Sequence, residues 1–462
     1  MKKWLLLVGI VFILTGCVKD KEDINQVIEN EWELEELEVA EQEEKGYEAY
    51  FKLREVNKKP VLPKYLTEEY LVGSDYNPSS TKKVYRTEEG IYYEGTRMRQ
   101  IIFEDKVSGK QIPLCNKPNC THEYTDTKEQ ECNSYVGELI GVYDGVLYAV
   151  DREQWDTMSS ENYAPIHHSL YSVALDGSGR EALTKVFTSY VVKDGNKSRN
   201  SNAYVQSIIH RGYYYAFVSM QERDASIMEI TRWSLLGNPE EEVLLSERMK
   251  GVDTGFSYIK AYGPYIYFVE DSILSDDYQE RESVIKRMHI DTGVIETVPV
   301  EGNVLDYFLV DGYMYYYLWS GEGIYKKNMD TGESTLIIKD PDYTYNRYSD
   351  SMYIDEKYIY YHNATYRVID PELPFSPEVR VYDKSGNLID IIKIVVKDIK
   401  DVKDIKGRVL GLDGDKLIAV FQGEITKSDG TIGFSRGYYE FDTNNIGTDN
   451  HEWKPMLVEK SD

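Results

Sequence analysis

The feature that most constrains this chain is a short unit that recurs along it, a turn dipeptide feeding a tyrosine-rich strand. Val310-Asp311-Gly312-Tyr313-Met314-Tyr315-Tyr316-Tyr317 shows it in full. The unit returns at Glu89-Gly90-Ile91-Tyr92-Tyr93, Tyr143-Asp144-Gly145-Val146-Leu147-Tyr148 and Arg211-Gly212-Tyr213-Tyr214-Tyr215. Three more copies are Gly263-Pro264-Tyr265-Ile266-Tyr267-Phe268, Glu356-Lys357-Tyr358-Ile359-Tyr360-Tyr361 and Asp413-Gly414-Asp415-Lys416-Leu417-Ile418. Each is followed by an alternating strand, a polar glycine turn and another strand, as in Tyr325 to Ile338 around Asp330-Thr331-Gly332. A repeat made only of strands and turns cannot bury an apolar face within one unit. Stacking such units around an axis buries it, which predicts an all-β, seven-bladed β-propeller, with six or eight blades as the neighbouring solutions.

We take the strands of each blade as a to d from the inside outward, and the seven copies above as the b strands. The c–d hairpins then fall at 99–114, 169–183, 228–245, 285–298, 325–338, 380–392 and 438–458. Their turns hold Gly109, Asp176-Gly177, Gly237-Asn238-Pro239, Asp291-Thr292-Gly293, Asp330-Thr331-Gly332, Lys384-Ser385-Gly386 and Asn444 to Gly447. Gly, Asp and Asn suit turns that need positive φ or a local side-chain cap. The 41 tyrosines among 462 residues fit the same picture, since tyrosine favours a pleated, half-buried surface. A net charge of −27 excludes nucleic acid as a partner, because a phosphate backbone calls for clustered Lys and Arg.

The first residues read as an address. Lys2 and Lys3 precede a short apolar run, Trp4 to Leu14, which is too short to span a bilayer comfortably. It ends in Leu14-Thr15-Gly16-Cys17, which resembles the lipobox of bacterial lipoproteins. The resemblance implies cleavage before Cys17, leaving residues 1–16 as a signal peptide and Cys17 as a lipidated N-terminus. The chain is then expected outside the cytoplasm, held on the outer leaflet of the cytoplasmic membrane. Residues 17–80 follow as a strongly acidic tether, with a helical spacing over 29–44, and a proline-containing lead-in from Lys59 to Pro78. The propeller takes 81–462.

Beyond Cys17, cysteine is confined to one d–a connection, 115–134, where Cys115, Cys120 and Cys132 lie with His122. Three thiols cannot all pair as disulfides. Cys₃His is a zinc-type ligand set, and four protein ligands make a closed, structural site. The rival reading is one disulfide, Cys115–Cys132 or Cys120–Cys132, favoured by an oxidising exterior.

The stretch Tyr171-Ser172-Val173-Ala174-Leu175-Asp176-Gly177-Ser178-Gly179-Arg180-Glu181-Ala182-Leu183 resembles a blade of the TolB-like and YWTD-type propellers. The run from Tyr85 to Val458 is similar to propeller lipoproteins of Gram-positive, clostridial-type bacteria, whose domain has no assigned activity. Many YWTD-type propellers have six blades, and the count here departs from that. Turn chemistry carries this resemblance, so it specifies fold and not function.

Long connections fall in the b–c and d–a classes, which share one face of a meander ring; the a–b and c–d turns on the other face are tight. Irregular loops on a rigid scaffold are where binding residues gather. Candidates there are the aromatic residues Trp155, Tyr163 and Trp319, the pair His167-His168, and the acidic pair Asp276-Asp277. The motifs of serine hydrolases, phosphate loops, zinc proteases and calcium loops are absent from the sequence, and no catalytic residue is assigned. The sequence therefore favours a monomeric, membrane-anchored scaffold that binds a protein, peptide or glycan. The alternative is a glycan-active lyase or hydrolase working from the long-loop face.

Overall fold

The computed structural model describes residues 53–54, 70–72, 74–75, 84–94, 100–123, 132–152, 163–194, 197–198, 203–221, 225–250, 253–274, 280–318, 322–339, 351–363, 378–394, 406–426 and 430–460. Seven antiparallel sheets follow one another in chain order, each built on a four-stranded meander, and three of them carry a short fifth strand. Blade 1 comprises Val84–Arg86, Gly90–Glu94, Ile101–Asp105 and Gln111–Pro113; blade 2 comprises Glu138–Tyr143, Val146–Arg152, Tyr163–Ala174 and Arg180–Asp194. Blade 3 is Ala203–His210, Tyr213–Gln221, Ala225–Ser234 and Glu241–Lys250, and blade 4 is Asp253–Tyr262, Tyr265–Ile273, Arg281–His289 and Ile295–Thr297. Blade 5 is Val304–Val310, Tyr313–Leu318, Gly323–Asn328 and Ser334–Lys339, and blade 6 is Ser351–Ile354, Tyr358–Asn363, Glu378–Asp383 and Leu388–Lys393. Blade 7 closes the chain with Lys406–Asp413, Lys416–Thr426, Ile432–Asp442 and Trp453–Lys460. All seven predicted b strands are b strands. Among the described residues the one helical element is a short 3-10 turn, Thr443–Asn445.

Local chemistry explains the units. In the a–b turns of blades 2, 3 and 5 both central residues take positive φ: Asp144 and Gly145, Arg211 and Gly212, Asp311 and Gly312. That is the geometry a two-residue hairpin needs to match strand twist. Strand b of blades 3 to 5 then begins Tyr-x-Tyr, two rings on one side of the sheet. A cation from strand c lies over the first ring: Arg232 over Tyr213 (4.5 Å), Arg287 over Tyr265 (4.6 Å) and Lys326 over Tyr313 (4.2 Å). The register places each cation directly opposite the second tyrosine, so the pairing repeats with the blade.

Packing between blades shows closure. One buried apolar cluster joins blades 1 and 2 around Tyr92, Ile101, Leu139 and Leu147. Further clusters join blades 2 and 3, 3 and 4, 4 and 5, 5 and 6, and 6 and 7. The seventh, with Val84 and Tyr93 of blade 1 against Ile418, Val420, Tyr438 and Leu457 of blade 7, completes the ring. Each blade thus buries one face against each neighbour. At the joint of blades 3 and 4, Phe217, Phe256 and Phe268 meet with centroids 5.3–5.5 Å apart. A fully buried ring of this kind contributes about 2–3 kcal/mol.

Two features depart from the sequence reading. The c–d hairpin of blade 2 runs well beyond 169–183, from Tyr163 to Asp194. Register shifts between Ala182 and Thr184 and between Lys185 and Phe187 break the strict alternation, which hid the extension. The lead-in is not wholly irregular either. Tyr70–Val72 pairs antiparallel with strand a of blade 4, and Ser74–Asp75 pairs with strand a of blade 3, both on the inner edge of their sheet. Farther upstream, Arg54 reaches the outer half of blade 3. It forms ion pairs with Glu229 (2.9 Å) and Glu241, and its backbone N–H donates to Ser246 Oγ at 2.9 Å.

Candidate metal centre

Strand d of blade 1 ends at Pro113, and the chain then makes the crossing to blade 2 that carries all three propeller cysteines. The fold brings together Cys115, Cys120, His122 and Cys132, with one ligand atom from each and all four atoms within 4.8 Å of one another. A tetrahedral zinc site with Zn–S bonds of about 2.3 Å has S···S edges of about 3.8 Å, so a small inward adjustment seats an ion. His122 Nδ1 lies 3.5 Å from Cys132 Sγ. No disulfide joins any of the three cysteines. The donor set, soft thiolates plus one imidazole in a closed cluster, fits a structural metal.

The surroundings act on two of the thiols in opposite directions. Burial alone would raise the Cys115 thiol, but the backbone N–H groups of Lys117 and Asn133 and the neighbouring Cys120 and Cys132 thiols outweigh it. The net effect lies below the ordinary cysteine range. Cys132 is 2% exposed, and burial is the main reason its thiol is pushed up to about 11. Ser134 acts in the other direction, with its Oγ 3.0 Å from Cys132 Sγ. Three thiolates at this spacing repel one another, and a divalent cation removes that penalty.

A second layer fixes the ligands. His122 takes φ of 56°, a left-handed conformation, and its carbonyl accepts from Tyr135 Oη at 2.9 Å and Gln100 Nε2 at 3.4 Å. Gln100 Nε2 also donates to Ser134 Oγ at 3.0 Å. The c–d turn of blade 2 closes against the other side, where the Gly177 carbonyl accepts from Asn116 N–H (3.2 Å) and Asn133 Nδ2 (2.9 Å). Gly177 has φ of +73°, and a Cβ there would meet Cys115 N at 2.9 Å. Gln100, Asn133, Ser134, Tyr135 and Gly177 were not legible as parts of this site. Gln100 and Gly177 reach it from two blades with no local pattern to mark them, while Asn133 to Tyr135 directly follow Cys132 in the crossing and carry no sign of their role.

The remaining candidates do not converge. His167 and His168 lie in strand c of blade 2 and not in a loop, so their side chains project to opposite faces. His168 is buried, stacks on Phe187 (4.0 Å between centroids) and has Nε2 2.9 Å from Ser189 Oγ. His167 Nδ1 lies 3.1 Å from Thr188 Oγ1, its cross-strand neighbour. Two imidazoles that diverge in this way cannot share an ion. Tyr163 is the first residue of the same strand. Trp155, Asp276, Asp277 and Trp319 lie outside the described residues, as does Cys17.

No protein-family model matches the chain, and no curated protein matches it. Among solved structures it is similar to BamB from Moraxella catarrhalis, with 10% identity, covering 82% of this chain and 98% of that one, at a TM-score of 0.36. It is similar to TolB from Acinetobacter baumannii, with 12% identity, 83% and 81% coverage and a TM-score of 0.30. A putative 6-phosphogluconolactonase from Bacteroides uniformis gives 14% identity, 85% and 98% coverage and a TM-score of 0.36. Likeness at this level carries nothing about what this chain binds or does. The architecture follows from strand order and from the seven inter-blade clusters.

Proposed function

We propose that this chain is an extracytoplasmic binding scaffold, a propeller tethered through a lipid on Cys17, whose Cys₃His centre holds one structural zinc. The observation that carries the scaffold reading is the extended c–d hairpin of blade 2, from Tyr163 to Asp194. It lengthens the ring at the end where the b–c and d–a connections emerge. A rigid ring with one elaborated end suits recognition of a protein or peptide. The zinc reading is supported by four ligand atoms converging within 4.8 Å of one another.

Two measurements test it. The wild-type chain is expected in the membrane fraction, and Cys17→Ala, once cleaved from residues 1–16, in the soluble one, because the rest of the chain offers no comparable apolar anchor. Cross-linking in intact cells should then capture a protein with the wild type that is lost when the hairpin is shortened by removing 163–168 and 187–194. Retention of the same protein by the shortened variant, or release of sugar from a glycan by the purified chain, overturns the scaffold reading. For the metal, elemental analysis should find about one zinc per chain, lost equally in Cys120→Ala and His122→Ala. A silent His122→Ala with only one titratable thiol would replace zinc with a disulfide.

A further inference from the structure

The four ligands straddle a joint in the ring. Cys115 stands just past the outermost strand of blade 1, and Cys132 just before the innermost strand of blade 2. Polar contacts between the outer half of blade 1 and blade 2 run through this same segment. Ile101 N–H donates to the Ser134 carbonyl at 2.7 Å, Asn116 and Asn133 both donate to Gly177, and Arg180 Nη1 donates to the Tyr135 carbonyl.

Blade 1 is small, and its inner strands are held to blade 2 by the apolar cluster around Tyr92 and Leu139. Bonds from Tyr85 Oη to the Ile140 carbonyl, from Tyr92 Oη to the Leu175 carbonyl and from Leu139 N–H to the Glu94 carboxylate add to it. The strands of blade 1 are three, five, five and three residues long. Its other neighbour is blade 7, and these two blades share no strand, since each is built from one continuous stretch of chain. The ring is closed there by side chains alone. Val84 and Tyr93 pack on Ile418, Val420, Tyr438 and Leu457. Tyr438 Oη donates to the Glu94 carbonyl at 3.1 Å, Gln111 Nε2 donates to the Met456 carbonyl at 2.6 Å, and Arg86 pairs with Glu440 at 3.3 Å.

We propose that an ion bound by Cys115, Cys120, His122 and Cys132 is the clasp that fixes blade 1 in the ring, so that opening at the joint of blades 7 and 1 is governed by occupancy of this centre. The proposal rests on the metal reading given above. The physical basis is linkage: a ligand that binds only the docked crossing stabilises the closed ring over any state in which blade 1 has swung out. A ring without a shared strand gains most from such a fastener, because opening it exposes two sheet faces and their edges.

Hydrogen exchange on the full chain tests this, comparing zinc-loaded protein with protein stripped by a chelator under reducing conditions. Stripping is expected to accelerate exchange roughly tenfold or more in 84–113 and in the facing residues 438–457, and to leave blades 3 to 5 unchanged. Acceleration confined to 115–134, or spread evenly over all blades, overturns the clasp. Gly177→Ala supplies an independent arm, since its Cβ would press on Cys115 N and on the Leu114 carbonyl carbon at 3.0 Å without removing a ligand. It should retain about one zinc and, with the centre occupied, keep blade 1 protected as in the zinc-loaded wild type. If Gly177→Ala does not fold, Asn133→Ala removes one of the two bonds to Gly177 without a clash and is read the same way. Exchange of blade 1 at the stripped rate in such a zinc-bound variant refutes the proposal. Absence of metal even after zinc addition removes the centre itself and the clasp with it, and the metal content tells that outcome from a bound ion that fixes nothing.

Discussion

Acid should loosen the joint of blades 3 and 4 through one buried histidine, and the size of the effect follows from its surroundings. His210 ends strand a of blade 3 and is fully buried, with Nε2 2.8 Å from the carbonyl of Gly263 in the a–b turn of blade 4. Burial holds its imidazole down to about 4, the adjacent Arg211 cation adds to this, and the bond to Gly263 opposes it. The folded value therefore lies below the unfolded value of 6.5. Between those two values the unfolded chain binds the extra proton and the folded chain does not. Stability from this group is complete above pH 6.5 and is lost as pH falls toward 4. At about 1.4 kcal/mol per tenfold, the whole displacement is worth about 3 kcal/mol, most of which is gone at pH 4.5. His210→Gln keeps an N–H for Gly263 and cannot titrate. Urea unfolding of both proteins at pH 7.5, 5.5 and 4.5 isolates the term, because carboxylate and thiol contributions are common to the pair. The wild type should lose about 2–3 kcal/mol relative to the variant between the ends of that range. A gap that stays constant within about 0.5 kcal/mol would refute the reasoning.

Two further outcomes follow from packing between blades. Gly386, with φ of +88°, faces blade 5 so closely that a Cβ would meet the Ile337 carbonyl oxygen at 2.0 Å, whereas Gly414, with φ of +61°, has nothing within 4 Å. Gly414→Ala should cost about 1–2 kcal/mol of backbone strain, and Gly386→Ala should cost clearly more in thermal unfolding; equal costs would show that the close approach is not maintained. Lys260 is buried between blades 4 and 5, where it pairs with Asp306, donates to the Tyr307 carbonyl and lies 3.8 Å from the centroid of Phe308. Lys260→Met should cost roughly 3–5 kcal/mol by stranding Asp306, and Lys260→Met with Asp306→Asn should recover a measurable part of it; a double variant no more stable than the single one would count against the pair.

What the sequence determined by itself was everything set by neighbours along the chain. Asp311-Gly312 and its relatives dictate hairpins because two adjacent residues must take positive φ, and Tyr-x-Tyr dictates one ring-bearing face because strands alternate. The four ligand residues were legible because they are crowded into one crossing of an otherwise cysteine-free ring. The number of blades was not settled in this way. It is fixed by whether Tyr438 and Leu457 meet Val84 and Tyr93, a contact between the two ends of the ring that no local pattern encodes. The same holds for His168, which the sequence placed in a loop and the structure buries against Phe187 after two register shifts. It holds too for Tyr70–Val72, whose few residues become a strand only because blade 4 offers its inner edge. Backbone conformation is decided within a few residues, whereas closure, burial and edge pairing depend on which distant surface arrives alongside.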